Sequence, residues 1–249
     1  MKEEKIFFKN KTQKLVGVVH LPNNKNPPAV VICHGLSTNK DVPNRVELAK
    51  KICENGFAVL RFDFRCHGES DGRPEELTYS GAAKDLESAI DFLETIDINR
   101  EKIGVIGSSF GGKAALIAAA SDRRIKALSV WVTPHIFSQK EKEEMKKVID
   151  ERGYYPYKKD FNLSRIFLED EENIDMFQIA KKIKIPTLAI LADKDEIIDL
   201  KMAIKFYDAI KAEKEFIVFK NVNHWIMDNL KYKKQSMNLT INWLKKWLK

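Results

Sequence analysis

Short apolar runs alternate along this chain with longer amphipathic stretches. The apolar runs lie at residues 29–33, 57–62, 103–106, 125–132, 186–191 and 215–219. Runs this short and this apolar are typical of parallel strands that are buried on both faces. The stretch Thr78–Thr95 shows helical periodicity instead, with apolar residues at 82, 86, 89, 90 and 93. Strands that alternate with helices predict an α/β fold, a mostly parallel central sheet with helices on both faces.

Two regions depart from this alternation. Ile6–Lys9 and Lys14–Leu21 predict two early strands around a polar turn. From Pro134 to about Gln178 the pattern predicts a charged helix, Gln139–Arg152, followed by an aromatic cluster and an acidic patch. We interpret this segment as a small lid that is inserted in a single domain spanning residues 1–249, because it is short for an independent domain. Its aromatic side chains would either form a substrate pocket or merely cover the sheet.

Composition narrows the classes of function. The chain has 249 residues, 44% hydrophobic and 32% charged, which suits one α/β domain. The net charge is +7, but lysines are interleaved with acidic residues, so we expect a solvated surface and no nucleic-acid partner. No apolar run reaches membrane-spanning length, and residues 1–5 do not resemble a signal peptide. Three scattered cysteines predict free thiols, and no Cys/His cluster has the spacing of a metal site. With no signal peptide recognised, we expect a cytoplasmic location. The sequence is compatible with a homodimer.

A Gly-x-Ser-x-Gly pattern gives the first candidate chemistry. Gly107, Ser109 and Gly111 lie between an apolar run and the small-residue stretch Ala114–Ala120, which predicts a strand, a sharp turn and a helix. Such a turn places the serine hydroxyl at the end of a strand and at the positive end of a helix. We therefore predict Ser109 as a nucleophile, with Ser108 as the alternative. The backbone N–H of Phe110, directly after the nucleophile, would be one oxyanion donor.

A base and an acid follow later strands, at the edge where parallel sheets carry their active sites. His224 is predicted as the general base because it follows the last strand. The acid that orients it is Asp195, Asp193 or Asp199, although Asp199 also suits a helix N-cap. Of the other histidines, His20 is predicted to be structural, His34 to shape an oxyanion loop, His67 to brace its own loop and His135 to face the substrate.

These motifs resemble those of α/β-hydrolase fold serine esterases. The matching segments are His34-Gly35-Leu36, Asp63–Ser70, Gly107–Gly111, Asp193–Ile198 and Asn221–His224. The chain is most similar to small bacterial cinnamoyl or feruloyl esterases and to monoacylglycerol-lipase-like hydrolases. One departure is Cys66, where these esterases usually have glycine.

The resemblance implies specific roles and an activity. It favours Asp195 over Asp193 as the acid and makes the backbone N–H of Leu36 the second oxyanion donor. It implies a carboxylesterase with the triad Ser109, His224 and Asp195, which forms an acyl-enzyme from a small-molecule ester and uses no cofactor or metal. A peptidase or a thioesterase with the same triad, and a non-catalytic binding protein of this fold, remain alternatives.

Overall fold

The computed structural model describes residues 1–158 and 161–249. Within them the chain forms ten strands and eight α-helices. The strands are β1 (Lys2–Asn10), β2 (Gln13–Leu21), β3 (Ala29–Cys33), β4 (Ala58–Phe62), β5 (Ile103–Ser108), β6 (Ile125–Trp131), β7 (Tyr155–Lys158), β8 (Phe161–Leu163), β9 (Thr187–Ala192) and β10 (Lys214–Phe219). The helices are α1 (Pro43–Glu54), α2 (Tyr79–Leu93), α3 (Phe110–Ala119), α4 (Gln139–Arg152), α5 (Arg165–Asn173), α6 (Met176–Lys182), α7 (Leu200–Ala209) and α8 (Leu230–Leu248).

Eight strands form the central sheet, in the order β1-β2-β4-β3-β5-β6-β9-β10. The pairs β1–β2 and β2–β4 are antiparallel, and all other neighbours in this sheet are parallel. Every residue of β3, β4 and β9 is buried, as expected for strands covered on both faces. The predicted mostly parallel α/β sheet with helices is therefore confirmed.

The predicted element boundaries agree with the structure to within a few residues. Thr78 lies just outside α2 and caps it by accepting a hydrogen bond from the Gly81 N–H at 2.9 Å. The helix expected over Leu200–Ala212 ends three residues earlier, at Ala209. The final strand begins at Lys214, one residue earlier than expected. No helix in the described part of the chain has the length and apolarity needed to cross a bilayer.

The segment between β6 and β9 contains α4, the two-stranded sheet β7–β8, α5 and α6. The Ser164 hydroxyl donates a hydrogen bond to the Glu75 carbonyl, and the Ser80 N–H donates to Asp170 at 3.0 Å. The acidic stretch 169–172 does not point uniformly to solvent, because Glu171 is buried. Contacts of this kind fix the segment against the beginning of α2 and the turn before it.

Candidate active site

Ser109 lies at the apex of a tight turn between β5 and α3. Its backbone has φ 50° and ψ −119°, a conformation that non-glycine residues rarely adopt and that persists only where neighbours enforce it. A Cβ on Gly107 would lie 2.6 Å from the Gly111 carbonyl oxygen, and a Cβ on Gly111 would lie 2.3 Å from the His34 carbonyl oxygen. Backbone atoms fill both spaces, so the turn requires glycine on either side of the serine.

The structure brings Ser109, His224 and Asp195 together. His224 Nε2 lies 3.1 Å from Ser109 Oγ, and His224 Nδ1 lies 2.9 Å from each carboxylate oxygen of Asp195. The side chains of His224 and Asp195 are only 5% and 2% exposed. Asp195 Oδ1 also accepts hydrogen bonds from the N–H groups of Ile197 and Ile198, at 2.9 and 2.8 Å. These contacts hold the carboxylate in one orientation toward the imidazole.

The alternative residues occupy other positions. Asp193 accepts a long hydrogen bond, 3.4 Å, from the Val222 N–H and so braces the loop that leads to His224. Asp199 caps α7 by accepting from the Met202 N–H at 3.0 Å, as the sequence suggested. Ser108 is the last residue of β5. His20 lies on β2, where its Nε2 accepts from Arg61 Nε at 3.0 Å.

His34 fixes the peptide plane between Gly35 and Leu36. His34 Nε2 accepts a hydrogen bond from the Phe64 N–H at 3.0 Å, and Nδ1 donates to the Gly35 carbonyl at 2.8 Å. The Thr38 hydroxyl donates to the same carbonyl at 2.9 Å. Burial holds the pKa of His34 well below its ordinary value, so the ring is neutral with its proton on Nδ1. Because a trans peptide is planar, the Leu36 N–H points away from this anchored carbonyl.

Phe110 is the first residue of α3. An amide in the first turn of a helix has no partner within that helix, so this N–H is available to another acceptor. Leu36 lines the same two cavities as Ser109, and Phe110 lines one of them. The two residues that would supply the oxyanion donors therefore lie beside the predicted nucleophile.

His67 connects two loops. Its Nε2 accepts a hydrogen bond from the Ser37 N–H at 3.1 Å, and its Nδ1 donates to the Arg65 carbonyl at 2.9 Å. Burial lowers the pKa of His67, which favours the neutral ring that this pattern needs. Sequence reasoning assigned His67 only to its own loop. The contact with Ser37, one residue after Leu36, was missed because it joins segments 30 residues apart.

Two cavities meet at Ser109 and Leu36. The aromatic pocket, about 200 Å³, includes the lining residues Tyr79, Phe110, His135, Phe137, Tyr155, Tyr157 and Phe167. The histidine-side pocket, about 260 Å³, includes Val42, Arg45, Trp131, His224, Trp225, Ile226 and Asp228 among its lining residues. His135 stacks on Phe137 with ring centroids 4.0 Å apart, and its Nε2 lies 3.1 Å from Glu141. It thus faces the aromatic pocket.

A buried ion pair joins α3 to the segment after β6. Lys113 Nζ contacts Glu171, and their side chains are 1% and 3% exposed. The same ammonium donates to the His135 carbonyl at 2.9 Å and lies 4.3 Å from the centre of the Tyr79 ring. Burial lowers the pKa of Lys113 and raises the pKa of Glu171. The sequence signal for this pair was a single lysine within an otherwise small and apolar helix.

No cluster of three or more His, Cys, Asp or Glu side chains within residues 1–158 and 161–249 is arranged to hold a metal ion. The chemistry that the described residues offer is nucleophilic. A serine hydroxyl contacts an imidazole, the imidazole contacts a carboxylate, and the residues predicted to supply the oxyanion donors line the adjoining cavity.

The family model for the alpha/beta hydrolase fold matches residues 28–172, which is more than half of the chain. The chain belongs to the α/β hydrolase family. This match confirms the resemblance to the α/β hydrolases expected from the motifs.

The curated relatives match only part of this chain. The thiohydrolase aneE of Aspergillus aculeatus is 37% identical over 127 residues, which are 49% of this chain and 38% of that protein. The chain spans between 34% and 44% of the length of the curated relatives it matches.

Solved structures match over nearly the whole chain. The α/β hydrolase GrgF from Penicillium sp. sh18 has a TM-score of 0.87 and 20% identity, covering 100% of this chain and 99% of that one. Est1E from Butyrivibrio proteoclasticus, solved with ferulic acid bound, has a TM-score of 0.80 and 19% identity, covering 96% and 99%. At these identities the likeness establishes the fold alone.

Proposed function

We propose that this α/β hydrolase is a serine carboxylesterase that works through an acyl-enzyme. The observation that carries the proposal is the continuous contact from Ser109 Oγ through His224 to Asp195, at 3.1 and 2.9 Å. These distances are within the range at which an imidazole removes a proton from a hydroxyl as it attacks. Asp195 stabilises the imidazolium that forms and holds the ring so that Nε2 faces the serine.

The reaction proceeds in two stages, formation of the acyl-enzyme and its hydrolysis. Ser109 Oγ bonds to the ester carbonyl carbon while His224 Nε2 takes the hydroxyl proton, and the carbonyl oxygen becomes an anion facing the N–H groups of Leu36 and Phe110. The C–O bond to the alcohol then breaks, and His224 gives the proton to the departing oxygen. Water attacks the acyl-enzyme with His224 again as base, which releases the acid and restores the Ser109 hydroxyl.

The two pockets divide the substrate between them. The departing oxygen must lie next to His224 to receive its proton, and His224 lines only one of the two cavities described here. The histidine-side pocket therefore takes the alcohol part and the aromatic pocket takes the acyl part. An apolar cavity of about 150 Å³ is large enough for benzene. The aromatic pocket, about 200 Å³, thus suits a single aryl ring or a short to medium alkyl chain.

Residues 134–178 would act as the lid of the single domain. Phe137, Tyr155, Tyr157 and Phe167 from this segment form much of the wall of the aromatic pocket. This arrangement supports the interpretation of the aromatic cluster as a substrate pocket rather than a simple cover of the sheet. On this proposal, the lid determines which acyl groups are accepted.

The first experiment replaces the nucleophile. We expect Ser109→Ala to lower kcat for p-nitrophenyl butyrate by about 10⁴ to 10⁶-fold, because the attacking atom is lost. Ser108→Ala removes the neighbouring hydroxyl and is the matched variant, with a far smaller loss expected. A fluorophosphonate probe should add its mass to the wild type and to Ser108→Ala, but not to Ser109→Ala. Hydrolysis or labelling that survives in Ser109→Ala would refute the proposal.

A thioesterase is the second candidate, favoured by the similarity to a thiohydrolase over 49% of the chain. The triad serves both reactions, so the substrates must differ in one atom only. We would compare S-butyryl-N-acetylcysteamine with its oxygen ester, 2-acetamidoethyl butyrate. A carboxylesterase should show an equal or higher kcat/KM for the oxygen ester. A strong preference for the sulfur ester would assign thioester hydrolysis instead.

A further inference from the structure

Arg45 places a positive charge in the wall of the histidine-side pocket, close to the nucleophile. The position that a Cβ on Gly35 would occupy lies 4.0 Å from Arg45 Nη2 and 3.7 Å from Ser109 Cβ. The guanidinium nitrogen and Ser109 Cβ are therefore separated by no more than the sum of these two distances. A group bound to this guanidinium would lie only a few atoms from the reacting carbonyl.

The charge of Arg45 has no carboxylate partner within salt-bridge distance among residues 1–158 and 161–249. Its hydrogen bond runs from Nη1 to the Asn39 carbonyl, at 3.2 Å. The nearby carboxylate of Asp63 is already held by Lys40 at 2.9 Å. Asp228, the carboxylate that lines the same pocket, is exposed to solvent and forms no salt bridge with Arg45.

The surroundings of Arg45 do not favour a cation. It lies in the first turn of α1, where the helix dipole favours negative groups. Burial lowers the pKa of Arg45 to about 10, whereas Arg65, which is paired with Asp85, has its pKa raised. A buried guanidinium with a backbone carbonyl as its hydrogen-bond partner and no carboxylate within salt-bridge distance is suited to an anion in the substrate, and a carboxylate matches its planar pair of donors.

We propose that Arg45 recognises a carboxylate on the alcohol part of the substrate, so that the natural substrates are esters of a short hydroxy acid with an apolar or aryl acid. This inference rests on the proposed esterase function and on the assignment of the alcohol to the histidine-side pocket. The short distance from Arg45 to Ser109 sets the length of the hydroxy acid. A charge at the far end of a long arm, as in a phosphopantetheine thioester, would lie too far from the reacting carbonyl to match this short distance.

The test uses two esters that differ only in charge, 3-(butyryloxy)propanoate and its carboxamide, with butyrate release measured by chromatography. We expect wild-type kcat/KM to favour the carboxylate by roughly tenfold to one hundredfold, the range of a charge-assisted hydrogen bond. Arg45→Gln should abolish this preference, and Arg45→Lys should retain part of it. Arg123→Gln removes the same charge from an exposed site just before β6, at the opposite end of the parallel strands from Ser109, and should keep the wild-type preference. Added KCl should weaken the preference in the wild type.

The Arg45 inference and the esterase proposal fail through different results. If p-nitrophenyl butyrate is hydrolysed but the two esters react equally in the wild type, or if Arg45→Gln keeps the preference, this inference is wrong and the esterase proposal stands. If no ester is hydrolysed, the esterase proposal fails. Calorimetric binding of both esters to Ser109→Ala protein then still tests Arg45, because the carboxylate ester should bind more tightly, and equal affinity would overturn the inference.

Discussion

The peptide between Gly35 and Leu36 shows how single atoms determine the proposed chemistry. Its carbonyl is held from two sides, by His34 Nδ1 and by the Thr38 hydroxyl, at 2.8 and 2.9 Å. The Phe64 N–H donates to His34 Nε2, so the proton of the neutral ring must lie on Nδ1. A neutral, buried histidine thus sets the direction of a backbone N–H without touching the substrate.

At the same scale, Asp195→Asn tests the assignment of the acid. The amide N–H₂ would face His224 Nδ1 and favour the tautomer in which Nε2 carries the proton, so His224 would no longer accept the serine proton. We expect kcat for p-nitrophenyl butyrate to fall by about 10⁴-fold with little change in stability. Asp193→Asn is the matched control, since Asp193 accepts only a 3.4 Å hydrogen bond from Val222, and it should keep most of its activity. Equal losses in the two variants would mean that the acid is misassigned.

At the scale of elements, the important contact is the one between α3 and α5. Lys113 and Glu171 are 58 residues apart in the chain and are buried together. The ammonium also touches the His135 carbonyl and the Tyr79 ring, both of which belong to residues that line the aromatic pocket. The ion pair thus aligns the proposed lid with the helix that begins directly after Ser109.

We predict that Lys113→Met lowers the free energy of unfolding by about 3–5 kcal/mol, because it leaves the buried Glu171 carboxylate without a partner. The double variant Lys113→Met, Glu171→Leu should recover most of this loss, since both charges are then absent. Lys84→Met, which breaks the exposed pair with Glu87, is the matched control and should cost less than about 1 kcal/mol. Urea denaturation of the four proteins measures all three values. A double variant as unstable as Lys113→Met would show that packing, not charge, is responsible.

Sequence patterns predicted the features of this molecule that depend on the residue types of a short segment. The buried runs predicted the parallel strands, and the Gly-x-Ser-x-Gly pattern predicted the turn at Ser109, because strand burial and tight turns constrain the residue types directly. The family assignment that followed is confirmed. The pairing of Lys113 with Glu171 and the exposure of Arg45 to the pocket had no such signal. They depend on how the segment after β6 and the helix α1 lie against the sheet, which no periodicity specifies.

For the whole molecule, histidine burial predicts sensitivity to mild acid. Burial lowers the pKa of His20 to about 4, and the pKa values of His34, His67 and His135 are also lowered. Unfolded histidines bind protons near pH 6.5, whereas these folded ones do not. Their contribution to stability is therefore complete above pH 6.5 and is lost progressively as the pH falls below it.

His20→Gln tests this dependence, because the glutamine oxygen can accept the Arg61 hydrogen bond but does not titrate. We expect the free energy of unfolding of the wild type to fall between pH 6.5 and 4.5, and the variant to fall less over the same range, by about 1–2 kcal/mol. Urea denaturation at several pH values gives both curves. Identical slopes would mean that His20 does not contribute. The slope that remains in the variant is the sum of the other three histidines and of carboxyl groups with shifted pKa values, such as Glu141 and Glu171.

The order of the three interacting side chains along the chain has a consequence for synthesis on the ribosome. Ser109 is made first, Asp195 follows, and His224 comes 115 residues after the serine. Because synthesis begins at the N-terminus, β3, β5 and the strained turn at Ser109 can assemble before the proposed base, His224, has been translated. In the proposed mechanism, a nascent chain would therefore carry an unactivated serine, and it could form no acyl-enzyme until β10 had joined the sheet and His224 had reached Ser109.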